Sequence, residues 1–256
     1  MIEAIKDFLK RYWKALLFFG VAGIIGGYFI GIYQLDSYPE EIRQQIYDQG
    51  LNEVTLGLVT AVQALGYGVV LGAFGLFLGE KLGLVGREEK AGFFGLVSAV
   101  AVAVFGGILI IVPDLLVFGK YSEAIMNSYA AKPTIDFIIG AVVYGGVIEE
   151  VMIRLFLMTL VAFIINFIVG NRGSMPSTAT LVIANVISAL VFAAGHLPAN
   201  SLLFGITPVI LVRCFLLNGG IGLMFGWLYR KYGIGHAMVA HAGCHVISKL
   251  IWVLFI

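Results

Sequence analysis

Two adjacent glutamates and an arginine stand in the middle of an apolar run, "YGGVIEEVMIRLFLM" at 144–158. One ionised side chain at the centre of a membrane helix costs about 2.5–3.5 kcal/mol even on a lenient insertion scale. Glu149, Glu150 and Arg154 must therefore face a bundle interior or a water-filled cavity. Residues 150 and 154 are i,i+4 neighbours, roughly 5–6 Å apart at Cβ on a helix, so Arg154 can hold Glu150 ionised. Glu149 points about 100° away around the same helix and is the freer carboxylate, suited to general-base work. The competing reading, a buried ion pair that only fixes helix packing, accounts for one glutamate and leaves the other without a role.

All four histidines lie after residue 195. His196 ends "VFAAGH", with Phe192 one turn before it, and "GHAMVAHAGCH" supplies His236, His241 and His245. His241 and His245 share a face, while His236 lies about 140° from His241 and reads as an interfacial residue at a helix entrance. A lone histidine in an apolar helix is usually a packing residue. Several on different segments, in one membrane with a diglutamate, point to a shared site.

Three chemistries could use these groups. Glu149 and a histidine could activate water while other imidazoles stabilise an oxyanion. Glu149, His196, His241 and His245 could hold a metal, zinc for such a donor set, with one position open. The carboxylates could also relay protons across the membrane. HExxH is absent, and so are a P-loop, a GxGxxG after a strand and GxSxG, which excludes the zincin, nucleotide-binding and serine-hydrolase signatures.

The elements that must position these residues are membrane helices. Hydrophobic residues make up 60% of the 256 and charged ones 12%, against roughly 25% charged in a soluble domain. Apolar runs at 15–33, 54–79, 92–118, 137–169, 179–195, 202–230 and 233–256 are near or above the ~18–20 residues of a transmembrane helix, and none alternates as a barrel strand would. The expectation is an all-α polytopic bundle of about seven or eight helices, one integral membrane domain over 1–256, whose partners include the lipid bilayer. A net charge of +1 indicates no nucleic-acid partner. Cys214 and Cys244 lie in apolar runs and read as buried free thiols.

Basic residues before the first run (Lys6, Lys10, Arg11, Lys14) mark 1–14 as an interfacial stretch with a cytoplasmic N-terminus. The acid-rich "DSYPEEIRQQIYDQGLNE" is then outside, "EKLGLVGREEK" with Lys81, Arg87 and Lys90 inside, "KYSEAIMNSYAAKPTID" outside and "GNRGSMPST" inside. The lean loops suit a prokaryotic cytoplasmic membrane.

"EEVMIR", "FAAGH" and "HAGCH", in this order and separation, resemble EExxxR, FxxxH and the final HxxxN/D-type motif of the CPBP family of intramembrane proteases. That family includes CAAX prenyl endopeptidases and bacterial Abi and bacteriocin-immunity proteins. The resemblance covers a motif-bearing core at 145–248. It implies that Glu149 and His196 activate the attacking water, that Glu150 and Arg154 support the site, and that His241 and His245 stabilise the oxyanion. It implies a membrane-anchored or prenylated peptide as substrate and favours a metal-free reaction, with zinc as the alternative. His245 stands where the family usually has Asn, and Leu155 where it usually has Gly.

One expectation concerns topology. If His196 ends its helix and His241 begins the last one, a single crossing by 202–230 would leave them at opposite membrane faces. They meet if 202–230 forms two short helices, broken at Asn218-Gly219-Gly220. That arrangement sets Arg230 and Lys231 on the side the positive-inside rule disfavours.

The leading function is thus intramembrane hydrolysis of a peptide bond. The alternatives are a non-catalytic immunity or scaffold protein of the same family and, with no internal repeat to support it, a proton-coupled transporter.

Overall fold

The computed structural model describes residues 2–171 and 175–256, without the side chains at 89 and 90. The side chains of the loop charges Glu89 and Lys90, and the whole of Arg172, fall outside what is described. Among the described residues every regular element is helical. Seven helices are long and apolar enough to span a membrane: α1 (Ile2–Ser37), α2 (Glu53–Lys81), α3 (Ala91–Lys120), α4 (Ile135–Ile168), α5 (Thr178–Phe204), α6 (Pro208–Tyr232) and α7 (Ile234–Phe255). Their outer faces expose Phe93, Phe94 and Ile168 to 74% or more, a surface compatible with lipid and not with water. The chain is an integral, multi-pass membrane protein. Its first fourteen residues continue α1 without a break beyond Met1, which is not described.

In lipid, apolar area gives helices no drive to associate, and close backbone approach must supply it. Gly23, Gly27 and Gly31 recur every fourth residue along α1 and lie on α2. A Cβ added at Gly23 would stand 2.6 Å from the Ala64 carbonyl oxygen, and one at Gly27 2.6 Å from that of Thr60. Gly68 returns the contact from α2 at the Phe19 carbonyl, and Gly75 lies on the Leu155 carbonyl of α4. Small residues thus carry α1 against α2 and α2 against the charged segment of α4.

Side-chain contacts sort the connections into two ends. Arg11 pairs with Glu80, Arg87 reaches the Arg230 carbonyl and the Met175 sulfur, and Glu88 accepts from the Gly235 N–H. The start of α1 and the α2–α3, α4–α5 and α6–α7 connections therefore share one basic end. At the other end Tyr33 stacks on Phe137 at 4.0 Å, and Lys132 donates to the Val253 carbonyl at 3.1 Å. Here a second buried charge pair joins α3 to α6. Arg213 grips Asp114 with two bonds of 2.6 Å, and Tyr129 donates to the same carboxylate at 2.8 Å.

The expected break at Asn218-Gly219-Gly220 does not occur. α6 crosses once, and Phe215–Gly219 forms a π-helical turn that runs directly into the helix Gly220–Tyr232. Glycine without proline keeps every backbone N–H available, and this stretch packs on Ala189 and Ala193 of α5. The chain breaks instead at Gly205, whose φ is 72°. The two histidines meet for a different reason: His196 is not at the end of its span. Pro198 has no N–H to give the Ala194 carbonyl, so the helix kinks at His196. It then resumes as Leu197–Phe204, about 12 Å further at 1.5 Å per residue. A single crossing also returns Arg230 and Lys231 to the basic end, which removes the conflict with the positive-inside rule.

Gly27→Leu is expected to cost about 1–3 kcal/mol or more by overpacking the α1–α2 contact, whereas Gly66→Ala, with nothing within 4 Å of an added Cβ, should stay within about 0.5 kcal/mol. Thermal unfolding of the detergent-solubilised variants measures both.

Candidate active site

α4 does not present its charges from a regular α-helix. Ala141–Glu149 and Val151–Met158 are π-helical, joined at Glu150. Such π turns concentrate at functional sites. Glu150 is fully buried, while the Glu149 side chain keeps 23% of its exposure.

Both glutamates meet one imidazole. His241, from α7, donates through Nδ1 to Glu150 Oε1 at 2.8 Å, and its Nε2 faces Glu149 Oε2 at 3.8 Å. The first contact is a charge-assisted hydrogen bond and orients the ring. The second is beyond hydrogen-bond range, so Nε2 and the carboxylate address a common point in space. Arg154 Nε lies 3.4 Å from Glu150 Oε2, and its Nη2 donates to the Gly222 carbonyl of α6 at 3.0 Å. The sequence reading of a supporting Glu150–Arg154 pair and a more open Glu149 matches this geometry. The expectation that Glu149 points away from Glu150 around the helix is compatible with it too, since the two carboxylates address different nitrogens of the His241 ring.

Two aromatic rings hold the cluster in place. The guanidinium of Arg154 lies 4.6 Å over Phe192 and 5.5 Å over Phe225. His241 stacks on Phe225 at 4.4 Å and on His245 at 5.1 Å. Gly145 makes the other wall, because a Cβ there would stand 2.7 Å from His245 Nε2. Phe192 carries a sequence signal, one turn before His196. Phe225 and Gly145 carry none, since each depends on which helices become neighbours.

His196 enters from the kink of α5. Its backbone N–H bonds to Ala193, which frees the Phe192 carbonyl to accept from the imidazole Nδ1 at 2.8 Å. Nε2 is thereby left as the acceptor on the ring. His196, His241, His245 and Asn218 line one cavity of about 50 Å³, with Phe192, Phe225 and Cys244 among its other walls. A water needs roughly 10–15 Å³ of such space, so a few fit. His236 stands apart, its Nδ1 bonded to the Tyr232 carbonyl at 2.9 Å.

The structure thus brings Glu149, Glu150, Arg154, His241 and His245 into direct contact and sets His196 on the same cavity. Among the described residues no three His, Cys, Asp or Glu side chains converge as metal ligands. His241 and His196 each already use Nδ1 in a hydrogen bond. Each ring therefore keeps Nε2 as its free nitrogen, an orientation that suits proton transfer and metal ligation alike.

Residues 131–247 match the family model described as Type II CAAX prenyl endopeptidase Rce1-like. The similarity covers 117 of the 256 residues. The matched region runs from just before α4 to the second residue after His245 and contains every residue of the cluster. It is a family of CAAX proteases, which makes a peptidase, within the hydrolases, the general class of activity it points to. No curated protein and no solved structure matches the chain.

Within 131–247, Arg154→Met should cost about 3–5 kcal/mol, because it leaves a buried carboxylate without its cation. The double variant Glu150→Gln/Arg154→Met is expected to recover at least half of that loss. A double-mutant cycle on thermal stability checks this, and additive losses would contradict the pairing.

Proposed function

We propose that this protein is an intramembrane endopeptidase that cuts a membrane-anchored or prenylated CAAX-type peptide with a water activated by Glu149 and His196. The observation that carries the reading is the 3.8 Å approach of Glu149 to His241, whose ring lines one cavity with His196 and His245. Glu149 accepts a proton from the water as it attacks the scissile carbonyl carbon. His196, with Nδ1 held by the Phe192 carbonyl, orients that water through Nε2. His241 donates from Nε2 to the developing oxyanion as an imidazolium whose charge Glu150 balances through Nδ1, and His245 adds a second donor. Glu149 then passes its proton to the leaving amine. Arg154 acts through Glu150 and is a positioning residue. The Rce1-like match of 131–247 supports the reaction class and the substrate type. The basic end is cytoplasmic in this reading, which places the substrate's anchor in the inner leaflet of a prokaryotic cytoplasmic membrane.

The reaction needs no metal in this scheme. Glu149→Gln is expected to lower cleavage of a prenylated peptide by about 10²–10⁴-fold, the usual contribution of a general base, with unchanged thermal stability. A chelator should leave the unsubstituted enzyme active. Undiminished cleavage by Glu149→Gln would falsify the mechanism, and activity lost to a chelator and restored by zinc would replace it with metal-assisted hydrolysis.

A further inference from the structure

Four formally charged side chains are buried among the described residues: Asp114, Glu150, Arg154 and Lys249. Three of them are paired, Asp114 with Arg213 and Glu150 with Arg154. Lys249 is not. Its ammonium lies over the Phe137 ring at 4.1 Å and 5.9 Å from the Trp252 ring. No described carboxylate or carbonyl bonds to it. An aromatic face attracts a cation without carrying the opposite charge. Intramembrane cations otherwise pair with anions or mark a substrate path.

The neighbouring positions on α7 repeat the shortage. His245 Nδ1 and Trp252 Nε1 are both buried without a hydrogen-bond partner. Residues 245, 249 and 252 are spaced i, i+4, i+7 and form one stripe of the helix. That stripe continues the His241–His245 pair, whose rings stack at 5.1 Å. Three unsatisfied buried nitrogens, one of them a full cation, therefore extend directly from the candidate oxyanion site.

We propose that Lys249 is a carboxylate-binding subsite, assisted by the Trp252 N–H, and that its ligand is the C-terminal carboxylate of the peptide substrate. This rests on the peptidase reading of the adjoining cluster. Lys249 is eight residues beyond His241, about 12 Å along a helix rising 1.5 Å per residue. An extended peptide advances about 3.3–3.6 Å per residue. A carbonyl held at Glu149 and His241 thus sends a free C-terminus to Lys249 after about three residues. The subsite selects a bond near the end of a chain and rejects internal bonds of a longer one. The four-carbon stem of Lys249 is flexible and lets the ammonium lift from the Phe137 ring toward an arriving carboxylate.

The test is binding in nanodiscs, on a Glu149→Gln background that stops turnover. The probe is a fluorescent, N-acetylated S-farnesylcysteine tetrapeptide with three apolar C-terminal residues, prepared as the free acid and as the C-terminal amide. The acid should bind at least ~10-fold more tightly than the amide, as expected for one charge-assisted bond. Lys249→Met should bring the acid down to the amide's affinity and leave the amide unchanged, while Lys249→Arg keeps a preference for the acid. Equal binding of acid and amide to the protein with Lys249 in place overturns the proposal, whether or not the variants fold, and so does an acid preference that survives Lys249→Met. Cleavage is read separately in the unsubstituted protein. An acid preference that depends on Lys249, without cleavage, keeps the subsite and removes the peptidase reading. Cleavage with equal binding of acid and amide does the reverse.

Discussion

A fully buried carboxylate, Glu150, sets the terms for the rest of this bundle. It cannot stay ionised in hydrocarbon without a cation and hydrogen-bond donors, and its partners come from two helices. Arg154 reaches it from the next turn of α4, and His241 from α7 at 2.8 Å. Arg154 in turn is tied to the Gly222 carbonyl of α6 and the Phe192 ring of α5. Satisfying one charge therefore brings four helices together at one point, and the cavity lies where they meet. The same requirement orders the imidazole: Nδ1 is committed to Glu150, so Nε2 is the nitrogen presented to Glu149.

The small residues make that convergence possible. Gly75 lets α2 rest on the Leu155 carbonyl, Gly145 leaves room for the His245 ring, and Gly146 lies on Ala242 of α7. Packing and chemistry are thus encoded in the same stretch of α4. "YGG" supplies the close approach, and "EEVMIR" places the charges that the approach encloses.

Much of this was legible in the sequence. Charges in an apolar run can survive only by facing inward, so Glu149, Glu150 and Arg154 identified themselves, and the histidines followed as the groups available to meet them. What remained hidden depended on backbone detail and on neighbours distant in the chain. Helical spacing separated Glu149 from Glu150, but the π-helical turns on both sides of Glu150 carry no mark in the sequence. A pair of glycines at 219 and 220 resembled a break, yet no proline or unsatisfied N–H enforced one. The kink that matters came from Pro198, a signal present in the sequence but overshadowed by the histidine before it. Asp114 and Arg213 are 99 residues apart, and no local pattern connects them.

The π turn at Phe215–Gly219 has a consequence for how α6 is divided. A π bulge is in effect one residue more than an α-helix needs for the same length, so the helix changes phase across it. Before the turn, Arg213 faces Asp114 of α3. After it, Gly222 and Phe225 face Arg154 and His241. One continuous rod thus carries two independent alignments, much as two gears keyed to one shaft at different angles. The inserted residue is the key that sets the angle between the side chains facing Asp114 and those that line the cavity.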